Sequence, residues 1–233
     1  MSELADERSG TGAATESGRG TARTTDAAGT AGTAGTSDRR LLRGAQTRQT
    51  IARHAADVAS LEGLSGLSIG RLATDLGLSK SGVQTLFVTK ERLQIAAAEC
   101  AREAFLDAVV RPASIAPRGA ARLRSLTEHW IAYAETPLFP GGCFWAANLA
   151  DFDSRPGKVR DTLSRHHQDW LGTLSGELRE AVDAGEIADL DAELAAFQID
   201  AVLTAANIAL RLGADGATAK ARRVIDGFLT APR

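Results

Sequence analysis

The sequence feature that most restricts the possible folds of this chain is a pair of short amphipathic segments separated by a glycine-centred turn. They occupy the stretch SIGRLATDLGLSKSGVQTLFVTKERL, which runs from Ser68 to Leu93. Apolar residues of the first segment recur at i, i+3, i+4 and i+7, the period of one helix face, and Ser68 stands where an N-cap belongs. Gly77 suits the left-handed conformation that ends many helices, and Ser79 can cap the helix that follows. The pattern predicts a helix-turn-helix.

The second helix of this motif separates its apolar residues from its polar ones. Val83, Leu86 and Phe87 share one side, which leaves small polar and basic residues on the other. A recognition helix contacts base edges through its first turns, and its N-terminal amides suit phosphate oxygens. We therefore expect a surface that binds double-stranded DNA, formed by Ser79, Lys80, Ser81, Gln84 and Thr85. Gln84 can pair with adenine or contact a phosphate, and the sequence leaves both interpretations open.

The run from Thr47 to Leu93 resembles the N-terminal DNA-binding domain of TetR-family (tetracycline-repressor-like) transcriptional regulators. The resemblance rests on a long first helix, the helix-turn-helix and the Lys-Glu-x-Leu opening of a fourth helix at Lys90. It implies that the third helix enters the major groove and that Lys90 grips a phosphate. Many members carry aromatic or histidine residues at the positions of Gln84, Thr85 and Leu86, so the contacts of those side chains do not transfer to this chain.

Composition divides the chain into three parts. Residues 1–40 are mostly Gly, Ala, Thr, Ser and charged residues, which predicts a disordered N-terminal extension. Residues 41–95 form the expected DNA-binding domain and hold seven basic and four acidic residues. Residues 96–233 hold fifteen basic and nineteen acidic ones and form the expected effector-binding and dimerisation domain. The net charge of −2 thus conceals a basic excess where phosphate binding is expected.

Apolar residues recur with helical spacing along the chain and show little alternating strand pattern, so the predicted fold class is all-α. The expected helices cover about 47–61, 90–110, 120–135, 142–150, 156–184, 191–213 and 218–229, besides the two of the helix-turn-helix. Before the first helix stand Arg39, Arg40 and Arg43, for which a solvated tail is favoured over an arm that reaches a DNA groove. No apolar run approaches the roughly 18 residues that a membrane helix needs. The charged start lacks a signal core, which predicts a cytoplasmic protein without a membrane partner.

The last two helices are candidates for a dimer interface. Apolar positions cover most of the circumference of the penultimate helix, so it must be buried on more than one side. The TetR resemblance implies that these two helices pair in a homodimer, with a monomeric core as the alternative. The candidate interface residues are Phe197, Val202, Ile208, Val224 and Phe228.

Aromatic and semi-polar residues concentrate in the C-terminal part, where the resemblance implies a small-molecule effector pocket. The candidate pocket residues are Trp130, Phe144, Trp145, Asn148, His166 and Trp170, although each is also suited to an ordinary core. Adjacent histidines such as His166 and His167 point about 100° apart on a helix and do not form a metal-binding i, i+4 pair. Cys143 is expected to be an inert buried thiol. No phosphate loop, nucleophile elbow or zinc signature is present, so we expect neither cofactor nor metal.

These patterns together predict a DNA-binding transcriptional regulator with an N-terminal three-helix helix-turn-helix domain and a C-terminal helical domain. The expected activity is that of a ligand-responsive repressor, which binds a palindromic operator as a dimer and is released by a small molecule. Two alternatives remain open at this point. One is a DNA-binding regulator without small-molecule control, and the other is an enzyme that uses the C-terminal pocket.

Overall fold

The computed structural model of the protein describes residues 31–231, with side chains from Asp38 onward. Within this range the chain folds into α-helices without a strand, which confirms the predicted all-α class. The helices are α1 (Ala31–Glu62), α2 (Ile69–Asp75), α3 (Lys80–Phe87), α4 (Lys90–Phe105), α5 (Arg111–Ala113), α6 (Ala120–Glu135), α7 (Phe144–Phe152), α8 (Lys158–Asp183), α9 (Ala192–Arg211) and α10 (Ala217–Phe228). A compact unit ends at Leu41, and all helices after α1 belong to a second compact unit that begins at Leu42.

The first helix begins earlier than the sequence analysis predicted. Its expected start was about Thr47, whereas α1 begins at Ala31 and so includes part of the segment expected to be disordered. Residues 1–30 of that segment lie outside the described residues. Residues 38–50 of α1 are mostly exposed and rich in Arg, Leu and Gln, which favour helix without burial. Apolar periodicity detects only the packed face of a helix, which explains why it missed these turns.

Capping residues position the helix-turn-helix as predicted. The hydroxyls of Ser68, Ser79 and Thr89 accept backbone N–H groups at the starts of α2, α3 and α4, over 3.5, 3.1 and 3.2 Å. Gly77 has φ +64° and ends α2 in the left-handed conformation. Three caps and one glycine therefore fix where each helix of the motif begins and where the chain turns.

Two main hydrophobic clusters form the core. The first joins α1–α4, and its largest buried side chains include Phe87 and Leu93. Phe139, Phe144 and Phe152, from the segment around α7, also belong to this cluster, as do Val159 and Leu163 of α8. The second cluster packs the end of α4 against α6, α8, α9 and α10. The segment around α7 thus shares a core with the helix-turn-helix.

Helix α9 corrects one expectation about membranes. Its 20 residues are long and apolar enough to cross a bilayer by length and composition, contrary to the prediction that no apolar run approaches that length. The core helix of a soluble protein meets the same test. Helix α9 packs against both α8 and α10, and the carboxylate of Asp200 in its middle accepts hydrogen bonds from two side chains of α8. These contacts favour a structural helix of the body over a membrane span.

Candidate nucleic-acid interface and effector cavity

The outer side of α3 presents the residues expected to meet DNA. Val83 and Phe87 are fully buried beneath the helix, and Leu86 is half-buried. The polar residues on the opposite side are all exposed; they are Ser79, Lys80, Ser81, Gln84 and Thr85. The structure therefore brings together the predicted DNA-binding residues of α3 on one solvent-facing surface.

Arg48 of α1 holds the C-terminal end of α3. Its guanidinium donates to the carbonyl of Leu86 at 2.6 Å and lies over the Phe87 ring, 4.4 Å from the centroid. A guanidinium can satisfy a helix-end carbonyl and interact with an aromatic face at the same time. Arg48 was counted in the basic excess of the expected DNA-binding domain, but these contacts give it a structural role that charge counting does not reveal.

Lys90 begins α4 beside the turn that joins α1 to α2. Its ammonium group donates to the carbonyl of Ser65 at 2.5 Å. Because a lysine ammonium carries three protons, this bond leaves others for a phosphate oxygen. The Ser65 hydroxyl also donates to Asp151 at 2.5 Å and accepts from Arg155 at 2.7 Å. Lys90 is therefore linked through one turn residue to α7 and the loop that follows it.

A cavity of about 320 Å³ lies among α4, α6, α7, α8 and α9. Its walls include four large aromatic side chains: Phe105, Trp130, Trp145 and Trp170. The ring of Phe105 packs edge-on against Trp145 and Trp170, each at a centroid distance of 5.3 Å. A π-helical turn over Leu106–Val110 continues α4 along the wall, and such turns are frequent at functional sites. An apolar cavity of this size can enclose a small organic molecule.

Four ionisable side chains of the cavity form two pairs. Arg102 donates to Asp169 at 3.1 Å, and both side chains are substantially exposed at 34% and 51%. His167 lies 2.9 Å from Asp200, whose other oxygen accepts the indole N–H of Trp170 at 3.0 Å. The hydrogen bond to Asp200 raises the pKa of His167. Each charge on the cavity wall therefore has an opposite charge within hydrogen-bonding distance.

His166 behaves differently from its neighbour. Its side chain is only 2% exposed, and burial lowers its pKa despite Glu99, whose carboxylate oxygen lies 3.3 Å from Nε2. The Nδ1 atom of His166 and the Nε1 atom of Trp145 are buried without a hydrogen-bond partner among the described residues. Both side chains line the cavity. Buried polar groups usually have partners, so these two nitrogens leave two hydrogen bonds unmade in the side chains that form this wall.

The predicted pocket residues fall into two groups. Trp130, Trp145, His166 and Trp170 line the cavity, whereas Phe144 and Asn148 do not. Phe144 is fully buried in the cluster around α1–α4, and Asn148 is bonded to α1 and the following turn. Cys143 lines the cavity, and burial raises the pKa of its thiol, which fits the expected inert thiol.

The cavity residues that escaped the sequence analysis include Arg102, Phe105 and Asp200. Asp200 carried a usable signal, because it is an isolated carboxylate in the middle of the apolar helix α9. A charge in such a helix is rarely buried unless it is paired. Arg102 carried no such signal, since its position on α4 resembles that of many solvated residues.

Helix α7 lies between the cavity and the helix-turn-helix. Trp145, Ala146 and Leu149 line the cavity. On another side of the same helix, the Asn148 side chain accepts the Leu64 N–H at 2.6 Å and donates to the Ala59 carbonyl at 3.2 Å. One nine-residue helix therefore touches both the cavity and the junction of α1 with α2.

The predicted dimer residues lie on an apolar surface of α9 and α10. Phe197, Ile208 and Val224 are 62%, 49% and 44% exposed, and Val202 and Phe228 are half-buried. Leu194 and Leu212 extend the exposed stripe along α9. The opposite stripe, which includes Ile199 and Leu203, is fully buried against the body. Exposed contiguous apolar surfaces of this kind mark interaction sites.

Comparisons with known proteins agree with this architecture. Residues 119–225 match the family model described as the tetracyclin repressor-like C-terminal domain. The C-terminal part of the chain is thus similar to the C-terminal domain of tetracyclin repressor-like proteins. Among the curated proteins, none matches the chain.

Several solved TetR-type structures share the fold at low sequence identity. A TetR transcriptional regulator from Chloroflexus aurantiacus J-10-FL superposes with a TM-score of 0.71 at 23% identity, over 80% of this chain and 95% of that one. A putative transcriptional regulator from Saccharomonospora viridis, in complex with choline, gives a TM-score of 0.68 at 20% identity, over 79% and 95% of the chains. AibR, in complex with isovaleryl coenzyme A and operator DNA, gives 0.64 at 16% identity, over 79% and 99%. At these identities the likeness shows the TetR fold alone.

Proposed function

We propose that this protein is a dimeric TetR-family repressor that binds a palindromic operator and is released when a small molecule enters the cavity. The observation that carries the proposal is the exposed polar side of α3, which stands on a fully capped helix-turn-helix. Polar side chains on the first turns of α3 are placed to reach base edges in a major groove. The neighbour AibR was crystallised with operator DNA, which supports the same use of this fold.

Two features support the dimer and the ligand control. The exposed apolar surface of α9 and α10, which includes Phe197 and Val224, would be buried by a two-fold pairing of identical chains. Such a pairing would set two α3 helices about 34 Å apart, the spacing of successive major grooves. The cavity supplies space for an effector, and α7 connects its wall to the turn at Leu64. A ligand that favours another position of α7 would therefore disfavour the DNA-binding arrangement.

Binding to DNA fragments from the source genome, followed by footprinting of the enriched fragments, tests the proposal. We expect protection of two half-sites about one helical turn apart. Gln84→Ala and Thr85→Ala should weaken binding to that operator more than binding to random DNA, because these side chains are expected to read bases. Equal losses on both kinds of DNA would contradict base reading by α3. A chain that turns over a cavity ligand in the absence of DNA would support the enzyme alternative.

Lys90 permits a separate test of phosphate contact. Lys90→Ala should weaken binding to all DNA sequences about equally and reduce the slope of log affinity against log salt by about one. Lys158→Ala removes an exposed lysine at the start of α8 and serves as the matched control. An unchanged salt slope for Lys90→Ala would exclude a phosphate contact by this residue.

A further inference from the structure

We propose that the effector is an uncharged molecule with an aromatic body, a class that excludes acids and amines of the same shape. This inference rests on the proposed function, because it names the ligand class of the same cavity. Its basis is the combination of aromatic walls with ionisable side chains that already neutralise one another.

The aromatic walls determine the body of the ligand. Phe105, Trp130 and Trp170 are each less than 9% exposed, yet all of them contribute to the cavity surface. Large rings of this kind bind flat apolar surfaces through edge and face contacts and through the hydrophobic effect. A cavity of about 320 Å³ has room for a fused two-ring molecule.

The paired charges determine that the ligand is neutral. The carboxylate of Asp200 already accepts from His167 and from Trp170, so an entering amine would have to share it with two donors that are already bound. An entering acid would have to compete with Asp169 for Arg102, at the more exposed part of the wall. A charged group inside the cavity would thus lose water without gaining an unpaired opposite charge.

The buried nitrogens allow one polar, uncharged group on the ligand. Trp145 Nε1 is a donor. Because His166 Nε2 lies toward Glu99 and burial favours the neutral ring, Nδ1 of His166 is an acceptor. The two rings are neighbours, with centroids 6.4 Å apart. If the two rings turn on binding so that these nitrogens meet the cavity, a hydroxyl group, which both accepts and donates, would satisfy both, whereas a carboxylate only accepts.

Three probes of similar shape distinguish a neutral from a charged ligand: 2-(1-naphthyl)ethanol, 2-(1-naphthyl)ethylamine and the carboxylate of 1-naphthylacetic acid. They are neutral, cationic and anionic at pH 7, and calorimetric titration of the full chain gives the affinity for each. We expect the alcohol to bind at least about tenfold more tightly than either ion. Equal or tighter binding of the acid or the amine, or no binding of the alcohol at about 1 mM, would overturn the proposal.

A variant that removes one charge of a pair tests the cause of this selectivity. His167→Gln leaves Asp200 without its ionisable partner, so the affinity for the amine should rise at least about tenfold while that for the alcohol changes less than about threefold. His54→Gln is the matched control. His54 also pairs with a carboxylate, that of Asp75 at 3.1 Å, but it does not line the cavity. An unchanged amine affinity in His167→Gln would show that charge pairing does not set the selectivity.

A cavity-filling variant assigns the binding site. Thr204→Phe introduces a ring into the cavity and should abolish binding of the alcohol, whereas Thr136→Phe, at an exposed position outside it, should not. Binding of the alcohol that survives Thr204→Phe would place the ligand elsewhere and overturn the proposal. Operator binding is measured in parallel without probes. If the wild type does not bind operator DNA, the proposed function is refuted, and calorimetry still tests the ligand class separately.

Discussion

Single residues in this chain often connect segments that are far apart in sequence. Gly141 is the most constrained of them, because its backbone N–H donates to the Ser60 hydroxyl at 2.9 Å. A Cβ atom at position 141 would lie 1.9 Å from the Ser60 carbonyl oxygen, which belongs to the backbone of α1 and cannot rotate away. The loop before α7 therefore approaches α1 closely only because residue 141 has no side chain.

Substitution of this glycine should be costly. We expect Gly141→Ala to lower the free energy of unfolding by roughly 1–3 kcal/mol or more, as in overpacked cores. Gly172→Ala is the control, because a Cβ there meets nothing within 4 Å on α8, and it should stabilise the chain by roughly 0.5–1 kcal/mol. Urea denaturation measures both changes. Similar effects of the two substitutions would show that the close approach to α1 is absent in solution.

The pair of His167 with Asp200 should make stability depend on pH. The pKa of His167 is raised in the folded state, so its stabilising contribution is complete below the unfolded value of about 6.5 and is lost as pH rises through the folded pKa. The difference in unfolding free energy between wild type and His167→Gln should therefore be larger at pH 6 than at pH 8. Urea denaturation at the two pH values measures it. A difference that grows with pH would contradict the raised pKa.

At the scale of elements, α7 and the helix-turn-helix meet at the turn Leu64–Gly66. Two buried amides hold this turn from different helices. Asn148 of α7 accepts the Leu64 N–H at 2.6 Å, and Gln94 of α4 donates to the Leu64 carbonyl at 2.8 Å. The two side chains make similar bonds, but Asn148 lies directly beside the cavity residue Leu149 of α7, whereas Gln94 lies about two helical turns before Arg102, where α4 meets the cavity.

This arrangement predicts which amide carries the ligand signal. Asn148→Ala should lower the free energy of unfolding by about 1–3 kcal/mol, because it leaves the buried Leu64 N–H unpaired, whereas Gln94→Ala should lower it by about 0.5–1.5 kcal/mol, because the Leu64 carbonyl keeps its bond from the Leu67 N–H. Only Asn148→Ala should reduce the factor by which 2-(1-naphthyl)ethanol weakens operator binding. Fluorescence anisotropy of labelled operator, with and without the alcohol, gives that factor. Equal reductions in both variants would assign the signal to α4 as much as to α7.

The helix-turn-helix and helix α7 show which features could and could not be predicted from the sequence. Local rules placed the caps Ser68 and Ser79 correctly, since a cap depends on residues three positions away. Phe144 and Trp145 were both assigned to the pocket, but adjacent residues on a helix point about 100° apart. Only Trp145 meets the cavity, because long-range packing sets the orientation of α7. The exposed first turns of α1 were not predicted for a different reason, because they pack too little to show a periodic pattern of apolar residues.

At the scale of the whole molecule, a single folded chain leaves an apolar stripe of α9 and α10 exposed to solvent. Leu194 and Leu212 stand 18 residues apart, so the stripe extends about 27 Å along α9 at 1.5 Å per residue. Asp200 lies on the same helix but is only 16% exposed, so its charge does not interrupt this surface. The surface is thus long, apolar and suited to an identical surface on a second chain.

A single charge should prevent this association. Val224→Glu should sediment as a monomer and lose tight binding to a two-half-site operator, because a carboxylate would be buried without a partner. Ile115→Glu is the control, since Ile115 is 89% exposed but lies outside α9 and α10. Analytical ultracentrifugation at micromolar concentration measures the change. A monomeric wild type that still protects both half-sites would contradict the dimer.

The charge pairing of the cavity has a consequence for how the proposed regulator would respond to the salinity of its surroundings. Operator binding releases counterions and weakens steeply as salt rises. Uptake of an uncharged molecule into a wall where Arg102 pairs with Asp169 and His167 pairs with Asp200 releases almost none. A rise in salt concentration would then lower the fraction of operator that is occupied, while the effector concentration at which half of the protein is bound would stay nearly constant.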